Sequence, residues 1–372
     1  MIYLDHAATT YIHQEVVELM HSILLNTYGN PSSTHQTGQS AKAILEQSRK
    51  SIAQQLGVLA SEIIFTSSGT ESNNWILTNA VENLNVKRFI STKIEHHAVL
   101  HTLEHLQQKD GVEIEYLTLN NQGNINLSEL NEKLDSEHKT MVTLMHVNNE
   151  IGTILPLEEV SKICKQNQAL FHSDMVQSIG KYQLNLQEIG IDFMAASAHK
   201  FHGPKGVGIL FASKKHSLNS WLLGGAQEKG LRAGTEAVHQ IAGMAKALEI
   251  ELANLKENHQ KINELRNYLC QKLNLHFNNP RIFGNQENSH IINVILPFDI
   301  QKASMLTFTL NLKSIAVSRG SACQSGSVKP SHVLDAILSI NEKQLPNLRI
   351  SLATKNTLDE IDVLIDVLMA NS

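Results

Sequence analysis

The chain has 372 residues, 18% of them charged and 42% hydrophobic, with a formal net charge of -5. That length exceeds one small core and asks for two domains, the composition is that of a globular enzyme, and no apolar run is long enough to cross a bilayer. No basic stripe exists to neutralise phosphates, which excludes a general nucleic-acid binder, and three cysteines (Cys164, Cys270 and Cys323) make no disulfide framework. The start, MIYLDHAATT, has no basic segment followed by an apolar one, so the expected compartment is the cytoplasm.

In chain order, Val16, Met20, Ile23 and Leu24 recur at helical spacing over 13–25, and Ala41, Ile44, Leu45, Ile52 and Leu56 do so over 40–56, where Gly57 stops the run. From Ile63 to Phe211, short apolar strands near 63, 88, 112, 140 and 169 alternate with helical segments, and a last pair covers 192–196 and 207–211. Such alternation predicts a mainly parallel sheet with helices on both faces, which binds its ligands beyond the carboxyl ends of the strands. After a glycine-rich stretch, Leu222 to Gly234, a helical segment runs from Glu236 to Leu273, and its polar middle, Glu257 to Gln260, predicts a break between domains. Strands near Ile282, Ile291 to Leu296 and Arg349 to Leu352, with helices near 300 and 330, read as a smaller α+β unit that the N-terminus joins.

Four places carry candidate chemistry. Lys200 leaves the end of a strand before the turn Gly203-Pro-Lys-Gly206, a rigid mount for an amine that holds a carbonyl compound as a Schiff base, provided burial and neighbouring cations lower its pKa. Thr66-Ser67-Ser68-Gly69-Thr70-Glu71-Ser72 opens a helix, and reads either as a phosphate cradle or as a cap. Asp174 ends a strand, with Gln177 three residues on, and can pair with a protonated ring nitrogen or cap a helix; His96 stands at a strand-to-helix loop where an imidazole can lie over a ring. Cys323, in the small-residue run Ser318 to Ser327, is an accessible thiol, reactive or incidental, whereas Cys164 and Cys270 sit in helical patterns as buried hydrophobes. His97, His101 and His105 share a helical face, which reads as the solvent side rather than as a metal site.

Tyr3-Leu-Asp5-His6-Ala-Ala-Thr-Thr10, Phe65 to Asn74, Glu95-His96, His146 to Gly152, Asp174 to Lys181, Ala198-His199-Lys200, Arg232-Ala-Gly-Thr235 and Gly320-Ser-Ala-Cys323-Gln-Ser-Gly resemble the cysteine desulfurases, in the branch with a long cysteine loop. These are class V aminotransferase-type enzymes of pyridoxal phosphate fold type I. The resemblance implies an α/β fold with a large cofactor-binding domain over 13–255. A small α+β domain from 1–12 and 256–372 would carry the cysteine loop at about 318–330. It further implies that Lys200 tethers pyridoxal 5'-phosphate, His96 stacks on its ring, Asp174 pairs with the ring nitrogen and Gln177 meets the ring oxygen. Gly69, Thr70, Ser197 and His199 would hold the phosphate, and Thr235 would reach the phosphate of the other subunit of a homodimer. Asn149, at the cofactor, and Arg349 would hold the carboxylate of L-cysteine, and Cys323 would take its sulfur as a persulfide for an acceptor protein of iron–sulfur assembly or tRNA thiolation. Related activities, selenocysteine lyase among them, and a non-catalytic sulfur-carrier scaffold are the alternatives. The pattern departs from the family's at His13, Ser68, Ala226 and Ala353-Thr354.

Overall fold

A computed structural model describes residues 1–134, 137–284, 287–298, 300–319 and 331–371. In chain order the elements are β1 (Ile2–Tyr3), α1 (Gln14–Asn26), α2 (Gln36–Gln55), β2 (Ile63–Thr66), α3 (Gly69–Glu82), β3 (Arg88–Ser91), α4 (His97–Asp110) and β4 (Glu113–Tyr116). There follow α5 (Leu127–Lys133), β5 (Thr140–Thr143), α6 (Leu157–Gln166), β6 (Leu170–Asp174), α7 (Leu186–Ile189), β7 (Phe193–Ser197), β8 (Gly208–Ala212) and α8 (Val238–Ala253). The last third comprises α9 (Leu255–His276), β9 (Arg281–Phe283), β10 (Ile291–Ile295), α10 (Ile300–Leu312), β11 (Ile315–Ala316), α11 (His332–Ile337), β12 (Asn347–Ser351) and α12 (Leu358–Met369).

Seven strands form one sheet in the order β2-β8-β7-β6-β5-β3-β4, parallel except for β8, which runs antiparallel to both neighbours. The strands are apolar throughout because both faces are covered. Ile90, Val142, Phe171, Met194 and Ile209 point into a core with α2, α6 and α8, while Phe89, Met141, Leu170, Phe193 and Leu210 point into a core with α3 and α4. This alternation is the two-residue period of a pleated strand, and it confirms the expected α/β architecture.

A three-stranded antiparallel sheet, β12-β10-β9, packs against α9 and α12 around a separate cluster that includes Leu265, Leu269, Val294, Leu348, Leu364 and Leu368. The N-terminal segment ties the two sheets together. β1 pairs with β11, Leu4 lies in the second cluster and its carbonyl accepts from Ser351 N at 2.8 Å, and further on Thr10 N donates to His199 O at 2.9 Å. Residues 5–10 are thereby laid across the carboxyl end of β7, where Lys200 emerges.

Two expectations change. The helical stretch after 236 breaks at Asn254, not at Glu257 to Gln260, because that polar run is the outer face of a continuous α9 and its residues find partners: His259 Nε2 donates to Lys181 O at 2.7 Å and Asn258 reaches Glu251 at 3.4 Å. The second helix begins at Gln36 rather than near 40, since the His35 ring accepts from Gly38 N and supplies a start. Among the described residues no helix is long and apolar enough to cross a membrane.

Candidate functional site

The carboxyl ends of β6 and β7, the N-termini of α3 and α4 and the strap of residues 5–10 enclose a cavity of about 240 Å³. Gly69, Thr70, His96, Asn149, Asp174, Gln177, Ser197, His199, Lys200 and Arg349 all line it, so the structure brings together residues far apart in the chain.

The start of α3 is built for close approach. Ser68, where the family pattern has glycine, caps the helix by accepting from Glu71 N, and a Cβ on Gly69 would stand 2.4 Å from Val176 Cγ2, so only glycine lets the loop lie against the segment after β6. Glu71 accepts from Ser67 N and forms a two-pronged ion pair with Arg232, which holds its carboxyl below the usual range against the opposing effect of burial. His96 caps α4: its Nδ1 accepts from Ala98 N at 3.1 Å, and burial lowers its pKa, which places the proton of the neutral ring on Nε2.

Asp174 is held on both oxygens. Oδ1 accepts from Val176 N at 3.0 Å and Oδ2 from Asn73 Nδ2 at 2.7 Å; the Asn73 carbonyl in turn accepts from His172 Nε2, so His172 Nδ1 accepts from the Thr143 hydroxyl. This chain requires a neutral His172, whose pKa burial pushes down to about 3. Gln177 donates from Nε2 to Ala7 O at 2.9 Å and receives His290 Nε2 on Oε1 at 3.3 Å. Lys200 donates to the carbonyls of Ala7 and Ala8. His199, lowered to about 4 by burial and by the Lys200 charge, contacts Thr9 Oγ1 at 3.2 Å.

Arg349, on β12 and 2% exposed, donates Nη1 to Asn149 O and Nη2 to Asp5 Oδ1, at 2.9 and 2.8 Å. Arg349 lines the cavity, and each Nη keeps a second N–H beyond these bonds, so the guanidinium has donor capacity to spare. Thr235 is not in this cavity. It lies with Ser67, Arg232 and Gly206 in a smaller one of about 80 Å³. His101 and His105 are exposed as expected, whereas His97 is half-buried: its ring packs 4.7 Å from His101 and 4.4 Å from His332, and burial lowers its pKa to about 4. Among the described residues no group of three or more His, Cys, Asp and Glu is placed to hold a metal ion. Cys164 and Cys270 are buried, and burial raises the Cys164 thiol to about 12. Cys323 lies outside the described residues.

The class-V aminotransferase family matches residues 2–364. The chain belongs to that family. It is 38% identical over 369 residues to a cysteine desulfurase IscS of Dictyoglomus turgidum, covering 99% of this chain and 93% of the relative. A solved NifS-like protein superposes with a TM-score of 0.90 at 36% identity, over 99% of this chain and 98% of the other. SspA, solved in complex with cysteine, gives 0.83 at 30% identity over 96% and 100%. Enzymes of this class V aminotransferase family depend on pyridoxal phosphate, and the donor set fits that group. The cavity offers a helix N-terminus with a glycine whose Cβ would collide, a fixed carboxylate for a ring nitrogen, an imidazole beside it and an amine.

The sequence reading missed the supports of the site: Asn73 and His172 beneath Asp174, His290 behind Gln177, and Glu95. Glu95 is buried, accepts from Thr92 Oγ1 and Met145 N, and is pushed up to about 8 by burial and by Asp174. These groups set a pH dependence of stability. His146, His172 and His202, lowered to about 4, 3 and 3 by burial, stay neutral when folded and take protons when unfolded. Their contribution is therefore present above the unfolded histidine pKa of about 6.5 and is lost as pH falls. Glu95 runs the other way, since its raised pKa favours the native state below about 4.5 and that contribution fades towards 8. With His6, His199 and His290 lowered in the same way, the histidines outnumber the single Glu95, and stability falls on acidification from pH 6.5 to 5 by about 1.4 kcal/mol per pH unit for each net proton that the unfolded chain takes up. Thermal unfolding across that range checks it, and Glu95→Gln should steepen the fall.

Proposed function

We propose that the chain is a cysteine desulfurase: it removes sulfur from L-cysteine, releases L-alanine and carries the sulfur as a persulfide on Cys323. The observation that carries this reading is the convergence of an amine, a buttressed carboxylate, a helix N-terminus and a guanidinium with spare donor capacity on one cavity. Bound pyridoxal phosphate supplies the carbonyl that tethers an amino acid and the ring that accepts its electrons.

The residues do the rest. Gly69 and Thr70 at the start of α3, with Ser197 and His199, bind the phosphate. Asp174, fixed by Asn73 and Val176 N, would keep a proton on the ring nitrogen, and His96 would hold the ring from the start of α4. Gln177 meets the ring oxygen with the N–H that Ala7 leaves available. Lys200 would hold the coenzyme through its amine and would move a proton at the substrate Cα. Arg349 and Asn149 bind the substrate carboxylate. The Cys323 thiolate then attacks the substrate sulfur: an S–S bond forms, the Cβ–S bond breaks, and its electron pair stays with the carbon skeleton, which is protonated to alanine. Thr235, absent from its own subunit's cavity, serves the phosphate of a partner in a homodimer. An acceptor protein of iron–sulfur assembly or tRNA thiolation in the cytoplasm receives the sulfur.

Incubating the coenzyme-loaded protein with labelled L-cysteine and a thiol reductant tests the activity. Alanine and sulfide are expected in equal amounts. Turnover of selenocysteine alone, or amino transfer to a keto acid in place of sulfide release, overturns the assignment.

A further inference from the structure

We propose that Lys181 is a positioning residue for the site: it fixes the Gln177 amide from behind and, through Gln177 and the Ala7 carbonyl, the place of the Lys200 amine. The inference rests on the reading of Lys200 as the residue that holds the coenzyme. Lys181 follows Gly180, which sits at φ +79° with a hypothetical Cβ only 2.7 Å from Phe201 Cβ, so the chain here is pressed against the residue after Lys200. Its backbone is pinned by its own N–H to Ser178 O and by His259 Nε2 donating to its carbonyl. The Lys181 ammonium reaches Gln177 Oε1 at 3.5 Å, where His290 Nε2 also donates at 3.3 Å. With two donors on its oxygen, Gln177 must turn its NH₂ towards Ala7 O, the same carbonyl that Lys200 Nζ approaches. One short relay, Lys181 to Gln177 to Ala7 to Lys200, therefore joins two amines.

The charges around Lys181 make it the one that matters. Lys200, His199 and His202 face it from the turn after β7, His6 from the N-terminal strap, His290 from the segment before β10, and Glu251 from α8. The four histidines all have pKa values lowered far enough to be neutral at pH 7, and Glu251 is engaged by His13 at 2.6 Å. Burial and the Lys200 charge bring Lys181 to about 7, and two amines that oppose each other's charge across one short relay titrate as a pair.

The test is a pH titration of the visible band of the bound coenzyme in the holoenzyme, with coenzyme affinity measured alongside. Lys181→Met and Lys181→Gln should move the midpoint upward by about one pH unit and weaken coenzyme binding several-fold. Lys181→Arg, which keeps the charge, should not raise it. In a Gln177→Leu background, Lys181→Met should weaken coenzyme binding no further. An unmoved midpoint in both neutral variants, or an upward shift in the arginine variant, overturns the proposal. A wild-type holoenzyme without a visible band, or a Lys200→Ala protein that keeps it, overturns the reading of Lys200 and this proposal with it; a normal wild-type band with an unmoved Lys181→Met midpoint overturns this proposal alone.

Discussion

Lys200→Ala should abolish the visible band of the bound coenzyme and lower alanine formation from cysteine by about three orders of magnitude or more, since in the proposed reading one residue both holds the coenzyme and moves the proton at Cα. Stability should change far less. Lys200 is only partly buried, and its amine donates to the carbonyls of Ala7 and Ala8, contacts worth about 1–2 kcal/mol each. The placement explains why no neighbouring lysine could substitute. Lys200 ends a single turn of 3-10 helix, Ala198–Lys200, directly after β7, and β7 is clamped between parallel β6 and antiparallel β8 in the middle of the sheet. Lys181, the nearest other amine in the relay, is turned to the back of Gln177. A Lys200→Ala protein that retains the band and the activity would sink the assignment of this amine. Absorbance and thermal unfolding of the same preparation separate loss of chemistry from loss of fold.

The elements that position the site were legible because each is written locally. Four- and five-residue apolar strands alternating with helices required a parallel sheet, and Asp174 and Lys200 stand at strand ends whatever the details of packing. Even the helix starts near the coenzyme carry their own signals, with Ser68 and His96 acting as caps. What stayed hidden are contacts between distant parts of the chain. No local pattern says that Asn73 will donate to Asp174, 101 residues away, or that the carbonyls of Ala7 and Ala8 will receive Lys200. The depression of Lys181 comes from burial and from the Lys200 charge on a different segment, which no spacing rule encodes. Other misses were avoidable. α12 announces itself with Thr357 and Glu360, a capping box ahead of an amphipathic run, and His13, read only as a departure from a pattern, proves to be the partner of Glu251. Polarity inside a helix can mark an end, as the run Glu257 to Gln260 suggests, but in a long surface helix it equally marks the wet face.

The second large effect is expected at Cys323. Cys323→Ser should leave the visible band and coenzyme binding unchanged while removing persulfide formation and reducing alanine output to background, because the hydroxyl is neither a thiolate nor a sulfur acceptor at neutral pH. Although Cys323 itself lies outside the described residues, the chain on both sides of it is anchored at the cavity wall. Ser318 exchanges backbone hydrogen bonds with Arg349, at 2.8 and 3.3 Å, and on the far side the Ser331 hydroxyl donates to the carboxylate of Glu150, the residue after Asn149, while His332 Nε2 meets Glu95 O, next to His96. Five residues of extended chain span at most about 17 Å, so covalent geometry alone confines Cys323 to that distance from the residue paired with Arg349. Cys164 and Cys270, in contrast, are locked in helices with their thiols raised by burial. Mass spectrometry after a cysteine pulse decides the matter: a single added sulfur on the peptide containing Cys323 in the wild type and none in Cys323→Ser is the expected pattern. Undiminished alanine release by the serine variant would move the sulfur-accepting role elsewhere in the protein.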